Sequence, residues 1–257
     1  MPSRSTARAA LLVVLGISAI APFACSDIVS SSASVLSIVF DSLSAPSVVV
    51  GDTLRDTTGA VVHPVVHVFN FKGEEVAQAP VYFLSPDSGV TVDSATGIVT
   101  ADSLRSTPAR IVATIGTLQA VQNVGVTLRP DSLQAVNALD SLQLSFDTTL
   151  NVSPLLQVKL THGIAPDDSA VTSWIVSFAI VAQSDPRLGE LVNDAGLRSV
   201  VDTTDATGIA GRKIRVHPLF FTSTTVDSIV VNATAKYRGA QVSGSPVRLV
   251  LLLKPPG

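Results

Sequence analysis

From about Val35 to Lys254 apolar and polar residues alternate in short runs, broken by Gly, Pro, Asp and Asn. A period of two sends successive side chains to opposite faces of a strand, so each run predicts a strand with one buried face. The first series reads SVLSIVF, SVVVGD, VVHVFNF, VYFLS, GIVTA, ARIVATIG and AVQNVGVTL, and it fills residues 35–128. Gly51-Asp52, Lys72-Gly73, Pro86-Asp87, the stretch from Asp93 to Gly97, and Gly116 separate these runs. Ile115-Gly116-Thr117 predicts a hairpin turn between two strands. After Arg129-Pro130-Asp131 a second series covers residues 129–254: SLQLSF, LLQVKL, SWIVSFAIV, RSVVDT, RKIRVHP, DSIVVNATAKY and VRLVLLLK. Within SWIVSFAIV, Trp174, Val176, Phe178 and Ile180 share one face, which predicts a core strand. Asp185 to Leu191 departs from the pattern and is expected to form a loop with a short helical turn. No apolar stripe at i, i+3, i+4, i+7 persists anywhere in this span. Strands at this spacing imply sandwiches.

Composition agrees. Asp occurs 17 times against 3 Glu and 5 Lys, and Asp favours turns where Glu and Lys favour helices. The chain is 46% hydrophobic and 14% charged, which rules out a disordered tail. Its 257 residues suffice for two domains, each with its own core. A net charge of −3, with 12 Arg spread thinly, argues against nucleic acid, which requires a concentrated basic patch.

Residues 1–24 carry Arg4 and Arg8, then an apolar run from Ala9 to Ala24. As a helix those sixteen residues rise about 24 Å, short of a bilayer core of roughly 30 Å, so a signal peptide is expected. Cys25 is the single cysteine, which excludes an internal disulfide. Its place behind Ala24 resembles the bacterial lipoprotein signal, although Pro22 stands where that family usually has Leu. The resemblance implies cleavage before Cys25, lipid attachment to it, and anchoring in a membrane by several acyl chains. Ser26 in place of Asp implies the outer membrane. Residues 25–34 then form the lipidated cysteine and a flexible tether.

The first block carries V-x-x-G-D-T, V-x-V-x-N-x-x-G-E-E-V, V-Y-F-L-S-P-D and V-D-S-A-T-G-I-V-T-A in order. This series resembles a group 2 bacterial immunoglobulin-like domain, with Phe83 standing where that family often has Trp. In the second block, Asp202 to Ala210 and V-V-N-A-T-A-K-Y-R-G-A-Q-V resemble the turn and closing hairpin of group 1 domains, the kind found in invasin-type adhesins. The expected fold is therefore all-β: two tandem immunoglobulin-like β-sandwiches after an N-terminal signal peptide.

Candidate chemistry is sparse. His63 and His67 have zinc-like i, i+4 spacing, but on a strand they lie about 13 Å apart. His162 and His217 stand alone at strand ends, and Glu74-Glu75 follow a turn. Asp202 and Asp205 lack the alternating oxygen pattern of a calcium loop and read as turn formers. Trp174 reads as core before it reads as a sugar-stacking face. No nucleophile elbow, phosphate loop or dinucleotide fingerprint is present. The sequence thus offers no catalytic residue, metal set or cofactor site. It predicts a non-enzymatic envelope lipoprotein presenting its domains for adhesion, for contact with a protein or glycan, or as a stalk, on the surface or periplasmic face. The alternative is an accessory subunit of an envelope export or polysaccharide-handling assembly.

Overall fold

The computed structural model describes residues 35–147, 151–163, 166–223 and 225–256. The leader, Cys25 and the tether lie outside the described residues. The chain is all-β, as the alternation requires. In order, the strands are β1 (Val35–Phe40), β2 (Ser47–Val49), β3 (Val66–Asn70), β4 (Tyr82–Leu84), β5 (Val90–Val92), β6 (Val99–Ala101), β7 (Ala109–Ile115) and β8 (Leu118–Thr127). Then follow β9 (Ser132–Ala135), β10 (Leu139–Gln143), β11 (Leu156–His162), β12 (Ser169–Ala170), β13 (Ile175–Ala182) and β14 (Gly189–Val192). The last are β15 (Val201–Thr203), β16 (Ile209–Val216), β17 (Asp227–Thr234), β18 (Lys236–Tyr237), β19 (Ala240–Gln241) and β20 (Val247–Lys254). Among the described residues a 3-10 turn, Pro218–Phe220, interrupts them.

Two hydrophobic cores form, one from residues between Ala45 and Val126 and the other from residues between Leu133 and Leu253. The first lies under a four-stranded sheet, β2-β8-β7-β4, and packs on its other side against two separate pairs, β1-β3 and β5-β6. The second lies between a five-stranded sheet, β10-β20-β17-β13-β15, and a sheet of β12-β11-β16-β14 with β9 on β11. Each block opens by splitting its first stretch of chain between two sheets. β1 pairs antiparallel with β3 while β2 pairs parallel with β8. Likewise β9 pairs antiparallel with β11 while β10 pairs parallel with β20. Both blocks are immunoglobulin-like sandwiches built on that shared opening.

β20 shows how the sequence dictates the second core. Val247, Leu249, Leu251 and Leu253 are buried, while Arg248 and Lys254 face solvent. Burying one such leucine contributes roughly 1.5–3 kcal/mol, so this one strand supplies a large share of a domain's stability. On β13 the same period buries Val176 and Phe178, but Trp174, just before the strand, is only half-buried. Its ring tilts against Tyr237 at 6.1 Å and its Nε1 donates to the Lys236 carbonyl at 3.2 Å. Trp174 thus closes the end of the core instead of filling its middle.

The turns follow their residues. Gly116 takes φ +57° in the β7–β8 hairpin. Asp93 accepts the Ala95 and Thr96 N–H groups and the Thr96 hydroxyl, and Gly97 then takes φ +72°. Asp205 repeats the device with Thr207, Ile209 and Gly208. The stretch from Asp185 to Leu191 differs from expectation. Leu188 closes a turn onto Asp185, and β14 then starts at Gly189 and pairs with β16. Gly189 has φ in the ordinary range, and a Cβ there would meet Ile229 at 2.6 Å, so the strand sits hard against the core.

Candidate functional site

A cleft of about 700 Å³ opens in the side of the first sandwich. Such a volume falls within the range of ligand sites. Val66 and Val68 of β3, Val76, Val81, Phe83 of β4 and Ile98 line it with apolar surface. It exists because β3 pairs with β1 on one edge, while on the other, among the described residues, only the bridge from Phe69 to Glu75 covers it, short of its Val66 end. On the β1 side the Asp41 N–H donates to Val65 O, and on the cleft side the Val76 N–H donates to Val68 O. Strand main-chain groups alternate sides from residue to residue, so the N–H and C=O of Val66 face the cleft.

Local sequence shapes the rim. Asn70 accepts the Lys72 and Glu74 N–H groups on its side-chain oxygen, and Gly73 takes φ +79°, which folds residues 70–74 into a tight turn. That turn returns Glu75 across β3, where it meets His67 Nδ1 at 2.8 Å. Hydrogen bonding to Glu75 raises the His67 pKa above its ordinary value. Gln78, at φ +57°, then carries the chain over the cleft toward Pro80 and β4. Phe83 is 9% exposed, and Gly97 packs on its ring. The site is therefore an apolar trough with the His67–Glu75 hydrogen bond at its lip and the uncovered Val66 end of β3 along one wall. Its chemistry suits contact with an extended apolar segment.

The other residues singled out in the sequence are dispersed. His63 lines the cleft while His67 turns to Glu75, so the two do not converge. Glu74 accepts from the Asn70 amide. His162 Nδ1 meets Asp131 at 2.7 Å, and His217 Nε2 lies 3.6 Å from Glu190, which also holds Arg215. Asp202 pairs with Arg212 at 2.9 Å and Asp205 closes its turn. Among the described residues no three His, Cys, Asp or Glu side chains gather as a metal site would require. At the far end of the second sandwich, Phe146 and Leu219 are largely exposed beside a recess of about 330 Å³. The cleft itself was not legible beforehand: its valines read as ordinary core, and its sole advance signal was the crowding of Pro64, Gly73 and Pro80 around β3 and β4.

No protein-family model and no curated protein matches the chain. Solved structures do. Surface layer protein SbsC, domains 1-6, is 12% identical over 88% of this chain and 29% of that one, with a TM-score of 0.32. The S-layer protein SbsC domains 4 and 5 are 11% identical over 87% and 99%, with a TM-score of 0.30. The Protocadherin GammaB4 extracellular domain is 13% identical over 86% and 34%, with a TM-score of 0.29. The chain spans less than a third of the first of these structures.

Proposed function

We propose that this chain is a non-enzymatic lipoprotein of the bacterial cell envelope, held in the outer membrane through Cys25, that contacts a partner protein through its first sandwich. The first domain runs over residues 35–128 and the second over 129–254, after a signal peptide and tether. The observation that carries the contact role is the apolar cleft beside the uncovered Val66 end of β3. An unpaired edge offers N–H and C=O groups to an incoming strand, and side-chain pockets beside it select the sequence of that strand.

Two measurements test this reading. The protein from the membrane fraction should have the mass of a chain starting at Cys25 plus acyl groups, and Cys25→Ser should lose that mass. An unacylated wild-type chain would overturn the anchor. For the cleft, a photo-crosslinking residue at Ala77, exposed on its rim, should capture one discrete partner, and Val66→Lys should abolish the capture. Capture unaffected by the charged groove would overturn the edge-binding role. Protease treatment of intact cells separates surface display from the alternative, a periplasmic subunit of an export or polysaccharide-handling assembly.

A further inference from the structure

Two sandwiches joined by a short connection are expected to move relative to one another unless something holds them. Here three separate contacts surround the crossing at Arg129-Pro130-Asp131. The first centres on Asp52, in the turn after β2, whose side chain is 5% exposed. One of its oxygens accepts the Thr53 N–H at 2.8 Å and Arg55 Nε at 3.1 Å, both from its own sandwich. The other accepts the Tyr237 hydroxyl and Arg238 Nε, each at 2.9 Å, from the second sandwich. A carboxylate has about four acceptor positions, and this one fills them with donors from both bodies.

The second contact brings two turns together main chain to main chain. Gly59, at φ +90°, lies so close to Arg238 that a Cβ would fall 2.4 Å from its carbonyl carbon. Gly239, at φ +80°, stands in the same relation to the Thr58 carbonyl oxygen, also at 2.4 Å. Each glycine satisfies two demands at once: a positive φ and the absence of a side chain. The third contact runs beside β2 and β8. The Ser47 hydroxyl donates to Ser173 O at 2.7 Å, and the Thr172 N–H donates to the Thr127 hydroxyl at 3.0 Å. Ser47 and Thr127 are both buried.

We propose that Asp52 is an interdomain latch: with Tyr237 and Arg238 it locks the two sandwiches into one rigid body, and its removal frees them to hinge at Pro130. Burial alone would raise the pKa of this carboxyl, yet the donors from Arg238, Thr53, Tyr237 and Arg55 outweigh it and hold the group well below the usual carboxylate range. The latch therefore keeps its charge throughout neutral and mildly acidic conditions. A rigid strut fixes the distance and angle between the cleft on the first sandwich and the far end of the second. The latch would act in the same way however the chain is anchored.

Residual dipolar couplings measured on the purified protein test it. In the wild type a single alignment tensor should fit the amides of both sandwiches. In Asp52→Asn the sandwiches should require two tensors, with each keeping its own strand pattern. A double variant, Tyr237→Phe with Arg238→Met, leaves the first sandwich untouched and should split the tensors in the same way. It decides the matter if Asp52→Asn fails to fold. Two tensors in the wild type, or one tensor in the double variant, would overturn the latch.

Discussion

The two sandwiches open in the same way and close differently. In the second, two broad sheets enclose a core in which Leu133, Leu156, Leu160, Leu249, Leu251 and Leu253 are each fully or almost fully buried. In the first, one broad sheet faces two separate strand pairs, and Ala45, Ala101, Ala109 and Ala113 make up a third of its twelve buried core residues. Small side chains bring sheets together but fill little volume, and the broken sheet leaves the Val66 end of β3 uncovered beside the cleft. One alternating pattern thus yields a closed sandwich that holds shape and an open one with a surface to offer. The second sandwich thus has the more fully enclosed core, and the first carries the cleft on which the proposed contact rests.

The sharpest way to break this division is to truncate a core residue on each side. Leu251→Ala removes a fully buried leucine from the centre of β20 and should cost about 4 kcal/mol. Trp174, the single tryptophan, sits at the end of that core, so its fluorescence should report the loss as a lower urea midpoint. Phe83→Ala should cost about 3 kcal/mol, at the low end for a buried phenylalanine, because the cleft already opens beside the ring. Its effect should appear in amide signals of β3, β4 and β7 before Trp174 responds. A larger loss for Phe83→Ala than for Leu251→Ala would reverse the ranking of the two cores.

A smaller effect tests what the sandwiches share. Asp93 and Asp205 close similar turns, the first one residue longer, each accepting a threonine hydroxyl and nearby N–H groups ahead of a positive-φ glycine. Asp93→Ala and Asp205→Ala should each lower the melting temperature, by less than either core truncation, and by similar amounts. Unequal losses would show that the turn matters more where its sandwich is less complete.

How much of this was legible depended on whether the information was local. Strands such as β7, β13 and β20 declare themselves because a buried face demands alternation along one segment. Gly97, Gly116 and Gly208 declare turns because few residues tolerate positive φ. β9 and β10 are half polar and lie at the edges of their sheets, so the pattern placed only part of β10, within SLQLSF, and missed β9. β14 was hidden by Pro186 and Gly189, which read as loop residues, although Gly189 is there because Ile229 leaves no room for a side chain. The latch could not be read at all. Gly51-Asp52 and Tyr237-Arg238-Gly239 each look like ordinary turn chemistry, and only the fold brings together groups 185 residues apart in sequence. The cleft was hidden for a related reason: it depends on a pairing that β3 makes only at Phe69 and not at Val66.

The smallest expected effect lies at the lip of that cleft, where His67 meets Glu75 at 2.8 Å. Hydrogen bonding to Glu75 raises the His67 pKa above its model-peptide value of 6.5, which means the charged imidazole is favoured in the folded chain. The sign of the linkage follows: the pair's contribution is fully present below pH 6.5 and is lost as pH rises through the raised value. Both side chains are substantially exposed, so the effect on global stability is small and the local effect is the useful one. An NMR titration should find His67 deprotonating at lower pH in Glu75→Gln than in the wild type. Amides of residues 74–76 should lose protection as the wild type passes through that transition, once intrinsic exchange rates are divided out. Because β20 in the closed sandwich has no such pair on its face, its amides should keep their protection over the same range. Matching losses in residues 74–76 and in β20 would mean that the titration loosens the whole chain, and the open sandwich would no longer be the distinctive one.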